Sequence, residues 1–114
     1  MDNSNKLNSD VLKKSLLKLG DILGLSLSDL AVIIGADQTI FSDGIKLGNK
    51  EADNALILLN CYKNVYQLVG GDADWLKHWF STYNNQTSGV PLEQIQTHEG
   101  LMKISGCLEL FIEK

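Results

Sequence analysis

The sequence contains no arginine: all ten basic residues are lysine, and against fourteen acids they leave a net charge of −4. Arginine supplies the planar fork that reads guanine edges, and a nucleic-acid binder usually shows a basic face. Strong nucleic-acid binding by a lone chain is therefore disfavoured, although a local basic edge is still allowed. Cysteine is scarce, with only Cys61 and Cys107, and no CxxC pair occurs. That excludes a disulfide framework and a paired-ligand zinc site. No apolar run approaches the length needed to span a bilayer, and Ala31–Ile34 sits inside an amphipathic pattern. The opening MDNSNKLNSD is polar without an apolar core, so it reads as a frayed tail over residues 1–10 rather than a signal peptide. The expected location is the cytoplasm, with both thiols buried, reduced and free of metal. Proline occurs once, as Pro91, and no alternating apolar stretch suggests a strand.

What is present is a globular composition. The 114 residues are 44% hydrophobic with a mean hydropathy of −0.04, ordinary for one domain or two very small ones sharing a core. Charge is divided unevenly. Residues 1–50 carry six lysines and six aspartates, which cancel, whereas residues 51–114 carry four lysines and eight acids. The whole net charge belongs to the second half.

Apolar residues recur at helical spacing almost throughout, so the expected fold class is all-α. Val11, Leu12, Leu16, Leu19, Ile22 and Leu23 make a first helix with Gly24 as its stop. Ser26 with Asp29 three residues on forms a capping box before Leu30, Ile33 and Ile34, and Gly35 ends that helix. A third short helix is expected from Asp37, carrying Ile40 and Phe41. A long helix follows from Glu51 to Val69, with Ala55, Leu58, Leu59, Tyr62, Val65, Tyr66 and Val69 inward. Leu56, Ile57 and Cys61 widen that face, as in a helix covered on two sides. Gly70-Gly71 closes it, and Asp72 caps a helix with the stripe Trp75, Leu76, Trp79, Phe80 and Tyr83, read as core. After the polar turn NNQTSG, the last helix starts at Thr97 and turns Leu101, Ile104, Leu108, Phe111 and Ile112 to one side.

The stretch SGVPLEQIQTHEG, residues 88–100, sets a histidine and a glutamate beside a hydroxyl. Catalysis would need those three side chains to converge, yet adjacent positions at a helix start diverge. Pro91 suits the first turn of a short helix, Thr97 an N-cap, and Glu99 the positive end of the macrodipole. The stretch reads as a joint between helices. Cys61, His78, His98 and Cys107 lack metal-ligand spacing, and Gly70-Gly71-Asp72 lacks a phosphate-loop pattern. No catalytic residue, cofactor or metal is expected.

Residues 24–45, GLSLSDLAVIIGADQTIFSDGI, place a capped helix, a Gly35 turn and a second helix with Phe41 inward. This resembles the Xre-type helix-turn-helix. Its DNA-facing set would be Gln38, Thr39 and Ser42, with Lys46 and Lys50 reaching phosphate. Asp37 and Asp43 would repel the backbone, and Gly44 interrupts the helix.

The second half carries the stronger likeness. The apolar helix ending at Gly70-Gly71, then Trp75-Leu76, Asn84 or Asn85, Gly89-Val90-Pro91-Leu92 and Thr97-His98-Glu99-Gly100-Leu101 are similar to the Xre/MbcA/ParS toxin-binding domain. The likeness spans residues 52–112 and keeps order and approximate spacing. It departs at His98, where the family usually has proline. After the polar tail over 1–10, the resemblance implies a helix-turn-helix region over 11–50 and a helical toxin-binding domain over 51–114. It also implies a non-catalytic antitoxin of a bacterial type II pair, which covers the active site of a RES-domain toxin that destroys NAD. Members of that family tend to form homodimers and repress their own operon. The expected toxin contacts are Gly89, Pro91, Leu92, Thr97, His98, Glu99, Glu113 and Lys114. Two other readings stay open, a stand-alone helix-turn-helix regulator and a ParS-like adaptor for other protein partners.

Overall fold

Leucines three and four residues apart decide the first helix. The computed structural model describes residues 3–112, and α1 (Asn3–Leu23) buries Leu12, Leu16, Leu19 and Leu23 along one stripe. The helix starts at Asn3, so residues 3–10 are helical backbone where a frayed tail was expected. Gly24, at φ +74°, ends it.

The expected capping box at α2 (Leu27–Ile34) is formed. The Asp29 N–H donates to Ser26 Oγ and the Ser26 N–H donates to Asp29 Oδ2, both at 3.0 Å. Leu30, Ala31, Ile33 and Ile34 are buried, and Gly35 leaves the helix in the left-handed conformation at φ +78°. That freedom belongs to glycine, and it lets the Ala36 N–H reach back to the Ala31 carbonyl at 2.8 Å.

The third helix is shorter than expected. α3 spans only Ile40–Asp43 and does not start at Asp37. Asp37 Oδ1 instead accepts the Thr39 N–H at 3.2 Å, an Asx turn that competes with helix. Gly44, at φ +101° and ψ 150°, stops it after one turn. Phe41 points inward as expected.

α4 (Lys50–Leu68) is the element around which the others are arranged, packing against α1, α2, α5 and α7. Its Ala52, Ala55, Leu58, Cys61 and Val65 are buried, and Asn54 Nδ2 donates to the Ile34 carbonyl at 3.1 Å. Two members of the expected face are not inside: Leu56 is 52% and Tyr66 43% exposed. With neighbours on several sides the buried arc follows the contacts and not the apolar stripe. Both Gly70 and Gly71 adopt positive φ, and the Gly71 N–H returns to the Tyr66 carbonyl at 2.8 Å.

α5 (Ala73–Ser81) is capped as expected, Asp72 Oδ1 accepting from the N–H groups of Asp74 at 2.9 Å and Trp75 at 3.1 Å. Leu76 and Phe80 are fully buried and Trp79 packs against the core. Trp75 and Tyr83 do not belong to the core, being 60% and 65% exposed. Trp75 lies at the outer edge of the stripe, and Tyr83 follows the end of the helix. α6 (Pro91–Gln94) and α7 (His98–Ile112) complete the chain, with Leu101, Ile104 and Leu108 fully buried against α4.

The described residues form an all-α fold of seven helices with no strand, only an isolated bridge between Asn84 and Gly89. One hydrophobic cluster runs from Leu12 to Leu108 through both halves. No helix among the described residues is long and apolar enough to cross a membrane.

Candidate partner-binding surface

The connection from α5 to α7 is built from polar contacts of short reach. Asn84 and Gly89 exchange backbone bonds, at 2.8 Å from Asn84 N and 3.3 Å from Gly89 N. Asn84 Oδ1 collects the N–H groups of Gln86 at 2.8 Å and Thr87 at 3.2 Å. Thr87 is fully buried, and its carbonyl accepts Gln94 Nε2 at 2.6 Å. Ser88, at φ +61°, is the one non-glycine residue with positive φ among those described. Pro91 sits in the first helical position of α6 and is buried beside the fully buried Ile95.

Two glycines are fixed here by proximity to Gln94. A Cβ on Gly89 would lie 2.7 Å from Gln94 Nε2, itself held by Thr87. A Cβ on Gly100 would lie 1.8 Å from the Gln94 carbonyl oxygen, a distance no side chain can occupy. Thr97 caps α7 as expected, its Oγ1 accepting the Gly100 N–H at 3.0 Å. Its hydroxyl is thereby committed to the backbone.

The expected contact residues thus divide. Pro91 is buried and Gly89 and Leu92 are half-buried, so these three shape the joint from within. Thr97, His98 and Glu99 are exposed together at the start of α7. Glu113 and Lys114 lie outside the described residues.

Beyond Glu99 the same face carries residues that the sequence pattern did not single out. Met102 is 45% and Leu110 68% exposed, four residues either side of the exposed Gly106, so the three line up along α7. Lys103 and Glu109 flank them in solvent. The signal was available: Met102 and Leu110 are the apolar residues of α7 that fall off its buried stripe.

Around α3, Gln38, Thr39, Ser42, Lys46 and Lys50 are all exposed, as are Asp37 and Asp43. A four-residue helix is only about 6 Å long, too short to lay several side chains along a major groove. Duplex DNA should accordingly bind weakly to the isolated chain, with affinity falling steeply with salt. Fluorescence anisotropy with labelled duplex at two ionic strengths measures this, and nanomolar affinity for a lone chain at physiological salt would refute it.

Among the described residues no three His, Cys, Asp or Glu side chains gather as a metal site. Both cysteines are free thiols, but only Cys61 is buried; Cys107 is half-exposed, with Sγ 3.9 Å from the Gln86 carbonyl, because its helix face borders the joint and not the core. Burial pushes the Cys61 thiol up to about 12. Its contribution to stability is complete below the ordinary thiol value of 9.0 and is lost as pH rises from there towards 12, where only the unfolded chain ionises readily. At pH 8 a thiol reagent should label Cys107 first and Cys61 only as the protein unfolds. Equal rates, followed by peptide mass spectrometry, would contradict that order.

Comparison with known protein families and with curated proteins finds no match to this chain.

Proposed function

We propose that this protein is a non-catalytic antitoxin that neutralises a RES-type, NAD-degrading toxin through the outer face of α7. The observation that carries the reading is a continuous exposed face, running from Thr97, His98 and Glu99 to Met102 and Leu110. Exposed apolar side chains rimmed by charge mark protein contact surfaces. The joint beneath that face is locked by Gln94, so the start of α7 is presented in one orientation and little ordering entropy is lost on binding.

The likeness to the toxin-binding domain supports the same reading. Several of its signature positions have a structural duty here: Gly89, Pro91, Thr97 and Gly100 build the joint. The acidic balance of residues 51–114 suits a basic cleft shaped for the phosphates of a dinucleotide. Neutralisation would be steric, the toxin's substrate being excluded by an interface of standard size, roughly 800 Å² per partner. Repression of its own operon is a secondary role, dependent on an assembly that joins several weak DNA contacts.

The test uses a RES-type toxin from the neighbouring reading frame and follows NAD consumption. Leu110→Asp and Glu99→Lys should each raise the antitoxin concentration for half-inhibition by about tenfold or more. Both sites are exposed but each substitution opposes the helix macrodipole, so stability should fall by only about 1 kcal/mol. Full neutralisation by both variants would mean that the toxin is held elsewhere.

A further inference from the structure

α1, α4 and α5 pack against one another in all three pairs, and a hollow of about 310 Å³ is left where they meet. Lys18 and Ile22, one turn apart on α1, form one wall, and Tyr62, Lys63 and Tyr66 of α4 form the other. The fully buried Leu76 of α5 closes the end. A second hollow of about 280 Å³ adjoins it, sharing Lys18, Tyr62 and Lys63 and extending towards Ser15. Space of this order sits at the lower end for small-molecule sites, roughly 300–1,000 Å³.

The charge of this place runs against that of the chain. Fourteen acids against ten lysines leave the protein at −4, yet two lysines and no acid line the two hollows. Asp72, at the start of α5, has its Oδ1 committed to the N–H groups of Asp74 and Trp75. A lysine acts on phosphate as a point charge, and two of them match a phosphate monoester, about −1.5 to −2 at neutral pH. The tyrosines suit a different group. Tyr62 and Tyr66 stack with ring centroids 6.1 Å apart and planes inclined by 24°, and Tyr66 is 43% exposed. The Tyr66 ring lies over the turn into α5, since a Cβ on Gly71 would stand 3.5 Å from its hydroxyl. With Ile22 and Leu76 beside them, these rings offer an aromatic face to a third flat ring. Burial, and then the neighbouring Tyr66, raise the Tyr62 phenol above its usual value, so it stays a neutral hydrogen-bond donor.

We propose that this three-helix hollow binds a small aromatic phosphate monoester, its ring on Tyr62 and Tyr66 and its phosphate between Lys18 and Lys63. A nucleotide and a simple aryl phosphate share that chemistry and differ in the spacer between ring and phosphate. The site has no residue in common with the outer face of α7, so ligand binding and toxin capture stand or fall separately.

NMR titration of the full chain, following the tyrosine ring protons, measures both sources, with adenosine monophosphate in one arm and phenyl phosphate in the other. The tighter of the two should bind with a dissociation constant of about 1 mM or below, as suits an open site. Inorganic phosphate, and the ring alone as adenosine or phenol, should each bind about tenfold more weakly or not at all. Lys63→Gln and Tyr66→Leu, both at exposed positions, should each weaken the tighter ligand about fivefold or more. Lys14→Gln, also exposed on α1 but outside both hollows, should leave its affinity unchanged. The proposal is overturned if neither aromatic phosphate binds that tightly, or if phosphate or the ring alone binds as well. It is equally overturned if the two hollow variants bind like the parent, or if Lys14→Gln weakens binding as much as they do.

Discussion

Gly100→Ala is expected to lower the thermal midpoint by roughly 12 °C or more, while Gly106→Ala, six residues further along the same helix, raises it by a few degrees. Intrinsic propensity predicts the same sign for both, since alanine is better than glycine in a helix interior by about 1 kcal/mol. The surroundings decide otherwise. At Gly106 an added methyl meets nothing within 4 Å, so the propensity gain of roughly 0.5–1 kcal/mol is realised in full. At Gly100 the methyl would stand 1.8 Å from the Gln94 carbonyl oxygen. That oxygen is backbone and cannot swing away as a side chain would. Relief would require α6 and α7 to separate, exposing Ile95 and Leu101, both fully buried. Overpacking of a rigid site typically costs about 1–3 kcal/mol, and the absence of a yielding neighbour puts this case at the top of that range or above it. Circular-dichroism melts of the two variants side by side make the comparison, and a Gly100→Ala protein as stable as the parent would show that α6 does not approach α7 as described.

The second large effect is expected at Leu58. It is fully buried in the middle of α4, the helix that touches α1, α2, α5 and α7. Leu58→Ala removes a side chain from a place where elements from both halves meet, and such truncations cost about 2–5 kcal/mol. Against a total of about 5–15 kcal/mol for a domain of this size, the variant is left with a narrow margin. It should also unfold as one unit. Both tryptophans are on α5, so their fluorescence reports the second half, while the helical signal reports the whole chain. The two probes should give coincident denaturant transitions, both moved to lower concentration in the variant. Transitions that separate, with the tryptophan signal left behind, would show that the halves are held independently.

Local chemistry made much of this fold legible in advance. Ser26 with Asp29, Asp72, Gly35 and Thr97 each act within three or four residues, so pattern alone located the ends they form. Side-chain burial was harder wherever the deciding neighbour is distant in sequence. Leu56, Tyr66 and Trp75 have the right period for a core stripe, yet no later segment arrives to cover them. The α3 boundary failed for another reason: an Asx turn at Asp37 and a helix start use the same residue type, and only the backbone path distinguishes them. In the candidate surface, Thr97, His98 and Glu99 were visible from their position at a helix start. The role of Gln94 was not, because nothing in a lone glutamine announces a side chain tied to Thr87 and a carbonyl pressed on Gly100.

The packing of α7 along α4 has a consequence for how the chain is made. The buried side of α4 is finished by a helix whose last described residue, Ile112, emerges from synthesis forty-four residues after Leu68. At about 5–20 residues per second, a nascent chain holds the face of α4 that α7 covers without that cover for roughly 2–9 seconds. During that interval the first half resembles a shell open on one side, exposed to whatever apolar surface is nearest. A chain interrupted before α7 would therefore be a chaperone substrate or an aggregation seed rather than a smaller version of the protein.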